Sequence, residues 1–452
     1  MVQVQVVPYK PSVKLLLTLL FVLIGLLLLL GALSIPLLFE SFTIQYKFGL
    51  DKTLLRAAKM VGLAAGYFLL LQLVFSARIK ILDRIFSINR LLSLHRIMAI
   101  AIAVLALLHA ILILMSQGFE TLRLDIKQWP EFVGVLLILS VFGIVIFSFW
   151  RQSFGIPFPI WWLFHRIGTP AAAVALLVHV LFVSDTFEKG LPRALVLLVL
   201  ALYAMLYFWT KLKKLFRRRH PYTVKDVTPV AKDTICIRLK AYNRLNFRYA
   251  PGQFAFLSFK SNQVTMEEHP FTISSSPTRP SDLQFTIRAS GDWTRTVHNL
   301  QPGDQAYVDG PYGFFGRAST QASKETIMLA GGIGVTPMLS MLRARADLQD
   351  ERSITLIWSN KTREHIAYPL EFADLEKRLK GLRIVHVLTR EPGYNGETGR
   401  LNQSKLNRLL AHCSRKSTVY VCGPPLMMEG VRHALLSMGF SRGSMLMERF
   451  SL

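Results

Sequence analysis

Four histidines have a type and spacing that could bind iron. His95 and His109 are 14 residues apart, as are His165 and His179. At about 100° per residue, 14 residues end about 40° short of four full turns, so each pair lies on one helix face. The rise over 14 residues is about 21 Å. Two imidazoles at each of two levels would supply the axial ligands of two haems.

Long apolar segments must position these histidines. The sequence predicts six membrane spans, at about 15–37, 57–76, 93–115, 132–150, 160–183 and 194–210, each near the roughly 20 residues that cross a bilayer. The third and fifth spans carry the histidines and run parallel, because one span separates them. His95 then lies level with His165, and His109 lies level with His179.

Other chemistry at these histidines stays open. A membrane histidine can form an interhelical hydrogen bond, and a zinc site or a proton path is also possible. Two histidines per level without a carboxylate or thiolate make a poor zinc site, so the pattern favours haem. Arg96 could neutralise a haem propionate or face lipid headgroups. The sequence has no C-x-x-C-H motif, which indicates haem b.

Loop charges predict the orientation in a plasma or inner membrane, because cytoplasmic loops are enriched in Lys and Arg. The basic residues of one side are Arg78, Lys80, Arg84, Arg90, Arg151, Lys211, Lys213, Lys214, Arg217, Arg218 and Arg219. The loops of the other side mix both signs. We therefore expect a cytoplasmic N-terminus and a cytoplasmic C-terminal half. The first span could instead be a cleaved signal peptide, but its length favours a retained helix.

Composition narrows the class of protein. The 452 residues are 52% hydrophobic with a net charge of +25. A nucleic-acid partner is not favoured, because no basic segment alternates with aromatic residues, and the basic cluster after the last span suits anionic lipid headgroups. Cys236, Cys413 and Cys422 all lie in the C-terminal half, which predicts a reducing compartment without a disulfide framework.

The C-terminal half has two kinds of pattern. Segments 233–240 and 282–289 alternate with a period of two, as half-buried strands do. From about residue 324, predicted strands at 326–330, 354–359, 382–388 and 418–422 alternate with helices. The sequence therefore predicts a six-helix bundle at 1–210, a basic linker at 211–220, an antiparallel β-barrel at 221–318 and a doubly wound α/β domain at 319–452.

Two motifs bring a resemblance to a known family. Residues 249–254 (YAPGQF) and 269–274 (HPFTIS) resemble flavin motifs of the ferredoxin-NADP reductase superfamily. The HPFT form is similar to the NADPH oxidase and ferric reductase branch. With the spaced histidines, nearly the whole chain resembles ferric reductase/NADPH oxidase-like transmembrane flavocytochromes, in layout the prokaryotic NADPH oxidase-like proteins. The resemblance implies that the barrel binds FAD and that the α/β domain binds NAD(P).

The expected FAD contacts lie in the barrel. Thr272 and Ser274 can bond the flavin ring edge or ribityl chain, while His269 and Arg288 can face the pyrophosphate. Gly291 and Thr294 resemble a phosphate-binding turn. The expected set is His269, Pro270, Phe271, Thr272, Ser274, Arg288, Gly291 and Thr294. Taken singly, these could also be ordinary strand and turn residues.

The expected NADPH contacts follow the predicted α/β strands. Residues 331–337 (GGIGVTP) join a strand to a helix, where glycines let a pyrophosphate approach. Ser359, Lys361 and Arg363 follow the next strand with no acid among them, which favours NADPH over NADH. The expected set is Gly331, Gly332, Gly334, Thr336, Pro337, Ser359, Lys361, Arg363, Cys422 and Gly423. The resemblance also implies that Cys422 lies near the hydride-transfer position and that Phe450 covers the flavin ring.

Together these features predict an oxidoreductase that moves electrons across a membrane. The expected order is NADPH, FAD, the His95/His165 haem, the His109/His179 haem and an extracytoplasmic acceptor. Oxygen, giving superoxide, is the favoured acceptor. Ferric chelates, a periplasmic partner protein and a quinone stay open as alternatives. A transporter or structural anchor with a degenerate reductase is a further alternative from another class.

Overall fold

The computed structural model describes residues 11–40, 49–118, 126–218, 222–241, 247–278, 282–313, 315 and 325–448. The chain divides into two compact units, with the boundary between Lys213 and Lys214. The first unit, here called the membrane unit, is helical. The second, here called the reductase unit, contains two sheets.

Seven α-helices form the described part of the membrane unit. They are α1 (Pro11–Leu38), α2 (Gly49–Ser76), α3 (Lys80–Phe86), α4 (Ile88–Gln117), α5 (Trp129–Phe149), α6 (Phe158–Val183) and α7 (Gly190–Arg218). All except α3 are long and apolar enough to cross a membrane. The predicted number of spans is therefore confirmed for the described residues, and the chain is an integral membrane protein.

The short helix α3 was not predicted, because its seven residues lie in a loop that the charge pattern marked only as basic. Leu82 and Ile85 bury its apolar side. Asp83 is also buried, and its Oδ1 accepts a hydrogen bond of 3.0 Å from the Ile88 main-chain N–H. That bond ties α3 to the first turn of α4, the helix that carries His95 and His109.

Small residues let each histidine-bearing helix pack closely against its neighbours. Ala103 on α4 and Ala172 on α6 are almost fully buried in a cluster with Ile102, Leu137 and Val141. Lipid tails are as apolar as these side chains, so close van der Waals packing rather than burial from water must hold the helices together. The bundle therefore offers α4 and α6 a rigid setting.

The first sheet of the reductase unit is antiparallel. Its strands are β1 (Tyr222–Ala231), β2 (Thr234–Ala241), β3 (Phe254–Lys260), β4 (His269–Thr272), β5 (Asp282–Arg288) and β6 (Gln305–Tyr312), in the order β4-β3-β6-β1-β2-β5. A single bridge between Ile273 and Phe285 links the two sheet edges. Helix α8 (Asp292–Thr296) follows β5.

The second sheet is parallel throughout. Its strands are β7 (Glu325–Gly331), β8 (Ser353–Asn360), β9 (Leu382–Leu388), β10 (Glu397–Thr398), β11 (Thr418–Cys422) and β12 (Met445–Glu448). The helices are α9 (Thr336–Asp347), α10 (Pro369–Arg378), α11 (Gln403–Leu409) and α12 (Pro425–Ser437). The order β10-β9-β8-β7-β11-β12 reverses direction between β7 and β11. In such sheets, ligands bind outside the strand ends at this reversal.

A half-buried arginine joins the two sheets. Arg343 on α9 makes bonds of 2.6 and 2.7 Å to the two carboxylate oxygens of Glu371. Its Nη1 also donates to the Ser274 main-chain oxygen and to Gln284 Oε1, each at 2.9 Å. Bidentate charge-assisted bonds are the strong, geometrically specific ones, so Arg343 holds the two domains of this unit in one arrangement.

Candidate functional site

The four membrane histidines form two facing pairs. His95 and His109 lie on α4, and His165 and His179 lie on α6. The ring centroids are 6.1 Å apart for His95 and His165, and 6.3 Å apart for His109 and His179. We call His95/His165 the inner pair and His109/His179 the outer pair, after the predicted orientation. The structure thus pairs the histidines in the levels that the 14-residue spacing predicts.

The spacing within each pair fits one metal ion between two imidazoles. A metal–nitrogen bond is about 2.0 Å, and the ring centroid lies about 1 Å further on, so two trans imidazoles have centroids about 6 Å apart. The ring Nδ1 atoms of His95 and His165 are buried without a hydrogen-bond partner among the described residues. The described residues contain no cluster of three or more His, Cys, Asp or Glu that could hold another metal. The donor set therefore fits two bis-histidine haems.

The outer histidines are oriented by main-chain carbonyls. His109 Nδ1 lies 2.8 Å from the Ala58 oxygen on α2, and His179 Nδ1 lies 2.9 Å from the Pro130 oxygen on α5. A carbonyl oxygen only accepts, so each Nδ1 must carry the proton. Nε2 then keeps its lone pair for a metal, as in most histidine ligands.

Two glycines make these contacts possible. A β-carbon on Gly62 would lie 2.7 Å from His109 Nδ1, and one on Gly134 would lie 2.6 Å from His179 Cε1. Each glycine stands four residues after the carbonyl that its histidine contacts. Sequence reasoning missed Gly62 and Gly134, because only the facing helix shows what the missing β-carbon makes room for. The equal spacing of Ala58–Gly62 and Pro130–Gly134 is the one signal available in the sequence.

The inner histidines have different neighbours. Trp161 stacks on His165 with the ring centroids 5.3 Å apart, and Trp161 Nε1 donates to Ser148 Oγ at 3.1 Å. On the other side, Gln72 Nε2 donates to the His95 main-chain oxygen at 3.1 Å. Arg96 is exposed beside His95, as both of its predicted roles require.

The flavin motif of the first sheet is only partly open to a ligand. Thr272 is buried, and its Oγ1 has no hydrogen-bond partner among the described residues, so it fits a group that awaits a ligand. Ser274 is fully buried, and its hydroxyl donates to the Gln284 oxygen at 3.1 Å and accepts from Thr286 at 3.0 Å. The structure therefore gives Ser274 a bonding role inside the sheet.

The aromatic side of this motif is built around Trp293. The His269 and Trp293 ring centroids are 4.2 Å apart, and Phe271 stacks on the same tryptophan at 6.0 Å. His269 Nε2 lies 3.1 Å from Glu267 Oε2, and Pro270 pairs with Phe256 between β4 and β3. The Glu267 contact and the Trp293 ring thus fix the orientation of the His269 ring.

The turn after β5 uses its own hydroxyl. Thr294 Oγ1 accepts from the main-chain N–H groups of Ser290 and Gly291, at 2.9 and 2.8 Å, and donates to the Gly291 oxygen at 2.9 Å. The hydroxyl that was predicted to meet phosphate therefore holds the turn in shape.

Arg288 lies with the nicotinamide-side residues. It lines a small cavity with Thr234, Gly332, Trp358 and His365. A β-carbon on Gly332 would lie 3.4 Å from Arg288 Nη1. The pKa of His365 is lowered, first by burial and then by the positive charges of Arg288 and Lys361. The cavity is thus lined by a permanent cation and a neutral imidazole at the glycine turn.

The two nicotinamide motifs pack directly against each other. A β-carbon on Gly334 would lie 2.4 Å from the Cys422 main-chain oxygen, and one on Gly331 would lie 2.7 Å from Pro424 Cδ. Pro337 is in the first turn of α9, where it needs no N–H partner, and Thr336 Oγ1 donates to the Ile333 oxygen. The glycines therefore bring the turn after β7 against the end of β11, at the reversal of strand order.

Cys422 is a fully buried thiol. Burial raises its pKa well above the ordinary value, and the charge of Glu448 raises the pKa further. Cys422 pairs with Glu448 between β11 and β12, and Gly423 packs against Gly331. The thiol is therefore neutral and serves as a packing group near the expected hydride-transfer position. Phe450, predicted to cover the flavin, lies outside the described residues.

The expected ribose-reading residues have an acidic neighbour. Arg363 Nε lies 3.0 Å from Glu391 Oε1, and the Arg363 main-chain N–H donates to Glu391 Oε2 at 2.8 Å. The Arg363 guanidinium also lies over the Tyr394 ring at 4.9 Å. Lys361 is exposed and Ser359 is half-buried. The segment 359–363 contains no acidic residue, and the segment that follows β9 supplies one, Glu391.

Three family models match successive parts of the chain. Residues 61–176 match "Ferric reductase like transmembrane component", residues 225–315 match "FAD-binding domain", and residues 328–433 match "Oxidoreductase NAD-binding domain". The order is the one that the resemblance implies. The chain has the ferric reductase/NADPH oxidase-like layout. It is a membrane flavoprotein of oxidoreductase type, with its first matched segment spanning His95, His109 and His165.

Individual relatives cover only part of this layout. The chain is 30% identical over 196 residues to sulfhydrogenase 1 subunit gamma of Pyrococcus furiosus, which is 42% of this chain and 65% of that protein. It is 31% identical over 169 residues to NADH-cytochrome b5 reductase 2 of Mycosarcoma maydis, 36% of this chain and 48% of that protein. The cytochrome b5 reductase domain of Ulva prolifera nitrate reductase is similar with a TM-score of 0.45 and 20% identity, over 50% of this chain and 96% of that structure. The chain spans about half to two thirds of the curated relatives' length.

Proposed function

We propose that this protein carries electrons across a membrane, from cytoplasmic NADPH through FAD and two b-type haems to an acceptor on the other side. The observation that carries the proposal is the presence of two facing histidine pairs, at 6.1 and 6.3 Å, on α4 and α6 of a membrane bundle. The levels are about 21 Å apart along the helices, which is most of the hydrocarbon thickness. When bound, FAD would convert the two-electron hydride of NADPH into single electrons, which haems held by the two histidine pairs would be suited to carry.

Residues of the chain have distinct tasks in this function. His95, His109, His165 and His179 hold iron through Nε2, and Arg96 is suited to a propionate. Thr272 and His269 contact FAD, together with the other barrel residues named above. Gly331, Gly332 and Gly334 admit the pyrophosphate of the nucleotide, while Cys422 and Phe450 shape the hydride-transfer position. Loop charges favour a cytoplasmic reductase unit.

If both histidines of each pair held haem iron, no coordination position would remain open, so the acceptor would receive its electron without binding iron. The outer pair is therefore a site for outer-sphere transfer. We expect the dithionite-reduced protein to show no strong carbon monoxide difference spectrum. A strong carbon monoxide complex would mean that one histidine of a pair does not ligate.

Oxygen is the favoured acceptor, with superoxide as the product. The test uses purified protein with added FAD and NADPH in air, and follows cytochrome c reduction with and without superoxide dismutase. We expect dismutase to abolish most of the signal. A dismutase-insensitive or nearly absent signal would contradict superoxide formation and would favour another acceptor.

Ferric-chelate reduction is the second candidate, and one cluster favours it. Lys52, Arg56 and Lys59 follow one face of α2 near the outer pair, and Lys59 is next to Ala58, whose carbonyl contacts His109. Glu40 pairs with Lys52 and Arg56, and Asp185 pairs with Lys59. Three cations against two acids leave a net positive charge, which attracts anionic chelates.

Ionic strength and the charge of the α2 cluster distinguish oxygen reduction from ferric-chelate reduction. Anionic ferric chelates should be reduced faster at low ionic strength, and a Lys52→Gln/Arg56→Gln variant should lose that salt dependence. Oxygen is uncharged, so its reduction should not depend on these residues. Equal rates for the variant and the parent protein with ferric citrate would exclude the cluster as an acceptor site.

A further inference from the structure

The two histidine pairs differ in what the second ring nitrogen contacts. In the outer pair, the Nδ1 atoms of His109 and His179 lie 2.8 and 2.9 Å from main-chain oxygens. In the inner pair, His165 Nδ1 is buried without a hydrogen-bond partner among the described residues, and His95 Nδ1 faces the Gln72 main-chain oxygen without reaching hydrogen-bond geometry. The two levels therefore share their ligand type but differ in what surrounds each ligand.

The 14-residue spacing between the histidines of one helix also separates the residues that contact them. His109 contacts Ala58 and His95 is contacted by Gln72, so α2 runs antiparallel to α4. Both steps are 14 residues, since 109 − 95 = 14 and 72 − 58 = 14. The same step leads from Gly62 to Ser76 on α2 and from Gly134 to Ser148 on α5. At the inner level, serines thus replace the two glycines that admit the outer histidines.

Each serine makes its own hydrogen bond. Ser76 Oγ donates to the Gln72 oxygen at 3.0 Å, which is the inner counterpart of the Ala58 oxygen that His109 contacts. Ser148 Oγ accepts from Trp161 Nε1 at 3.1 Å, and Trp161 stacks on His165. At the inner level, serine hydroxyls thus bond to Gln72 and Trp161, two residues that contact His95 and His165, where the outer level has glycines.

We propose that Gly62 and Gly134 are positioning residues that make iron at the outer pair harder to reduce than iron at the inner pair. The inference rests on the proposed function, because it needs a haem at each level. An imidazole that donates Nδ1–H to a carbonyl is a stronger electron donor through its other nitrogen. A stronger donor stabilises ferric over ferrous iron and lowers the midpoint potential. Reduction adds one electron to iron and breaks no bond.

The consequence concerns the acceptor. A pair with a lower midpoint potential is a stronger reductant, so the outer pair can reduce acceptors that the inner pair reduces poorly. Transfer from the inner to the outer level is then uphill, and removal of electrons by the acceptor drives it. The glycines thus set the reducing strength at the end of the path without touching iron or acceptor.

The test is an anaerobic potentiometric titration of the purified full-length protein, followed by its haem absorbance. We expect two one-electron steps. A His95→Leu variant should keep only the step of lower potential, which assigns that step to the outer pair. Gly62→Ala and Gly134→Ala should each move the lower step upward and leave the higher step unchanged, because the new β-carbon displaces a ring from its carbonyl.

Matched controls lie on the same two helices. A β-carbon on Gly66 would meet Leu176 at an ordinary 3.4 Å, and one on Gly143 would meet no described atom within 4 Å. Gly66→Ala and Gly143→Ala should move neither step. The reciprocal variant Ser76→Gly removes a β-carbon and a competing hydroxyl at the inner level. It should move the higher step downward, as His95 Nδ1 can then approach the Gln72 oxygen closely enough to donate to it.

Several outcomes would overturn the inference. One is a His95→Leu variant that keeps the step of higher potential. Another is a Gly62→Ala protein that retains both haems with unmoved potentials. If Gly62→Ala fails to bind haem, two measurements still test the inference. One is the assignment of the two potential steps with His95→Leu, and the other is the shift of the higher step in Ser76→Gly. A parent protein without haem would contradict the proposed function itself, whereas two haems of equal or reversed potentials would contradict only this inference.

Discussion

Both units place glycines where a ligand site is built, but the missing β-carbons make room for different groups. In the membrane unit, Gly62 and Gly134 make room for the imidazole rings of His109 and His179. In the reductase unit, Gly334 makes room for the main chain of Cys422, at 2.4 Å from a hypothetical β-carbon. A side chain can shift by rotation, but the main chain of a central parallel strand cannot.

This difference predicts how each unit responds to substitution. A change at a membrane glycine should displace a ligand and tune its chemistry while the helices stay packed. A change at Gly334 should separate the turn after β7 from β11 and disturb the fold of the nucleotide site. A substitution in the membrane site should thus change the ligand environment without unfolding the helices, whereas one in the nucleotide site should disturb the packing of the whole site.

The largest expected effect comes from removing an outer ligand. We expect His109→Leu to lose one of two haems and to reduce electron delivery to the acceptor to near background. The reductase unit has its own sites, so NADPH-dependent ferricyanide reduction should continue. Haem per polypeptide and both activities are the measurements, with His433→Leu, an exposed residue of α12, as the control. Unchanged haem content would exclude His109 as a ligand.

Gly334→Ala should have the opposite effect, with reductase activity lowered and haem binding retained. Overpacking costs about 1–3 kcal/mol even where side chains can adjust, and here the clash is with main chain. We therefore expect NADPH-dependent ferricyanide reduction to fall by at least about tenfold, while the dithionite-reduced haem spectrum stays normal. Gly430→Ala on α12 is the control, because no described atom lies within 4 Å of its β-carbon. A normal reductase activity would show that the turn can move.

A smaller effect is expected when a charge, rather than the packing, is changed in the nucleotide site. Glu391→Gln removes the carboxylate that pairs with Arg363 and frees the guanidinium for a 2′-phosphate. A surface charge pair contributes up to about 1 kcal/mol, so KM for NADPH should fall by about fivefold at most. KM for NADH should not change. Glu397→Gln, which breaks the Glu397–Arg408 pair, is the control, and a raised KM for NADPH would contradict this role.

The smallest effect concerns pH and the reductase unit alone. Burial raises the pKa of the Cys422 thiol well above its ordinary value of 9.0, and burial raises the pKa of Cys413 to about 11. A thiol with a raised folded-state pKa stabilises the fold below the unfolded-state pKa, and this contribution is lost as pH rises. The melting temperature should therefore be level from about pH 7.5 to 8.5 and fall above about pH 9.

The control for the pH prediction is Cys422→Ala. This variant should lose part of the fall in melting temperature above about pH 9, although its melting temperature at neutral pH is lower. A parent protein whose melting temperature rises above that pH would contradict the buried neutral thiol.

The sequence predicted features that repeat or that follow one chain segment. Equal spacings revealed the levels of His95/His165 and His109/His179, and apolar length revealed the spans. Strand period and the glycine motif located β7, and the structure then places Gly331 and Gly334 against the Cys422–Gly423 segment.

Features that depend on contacts between distant segments were missed. Glu391 is 28 residues beyond Arg363 in sequence, and only the parallel pairing of β8 with β9 brings them together. Arg288, which is expected at FAD, also lines a cavity with Gly332, a neighbour that the sequence did not predict, because the end of β5 lies beside the glycine turn. Gly62 and Gly134 were missed for the same reason, since their function lies in the helix opposite.

In the proposed function, electrons cross the membrane between the two histidine levels. The most direct measurement uses proteoliposomes with ferricytochrome c trapped inside, FAD bound, and NADPH added only outside under anaerobic conditions. We expect reduction of the trapped cytochrome, and loss of that reduction in both His95→Leu and His109→Leu. Reduction only of cytochrome c added on the NADPH side, with the trapped pool unchanged, would contradict it.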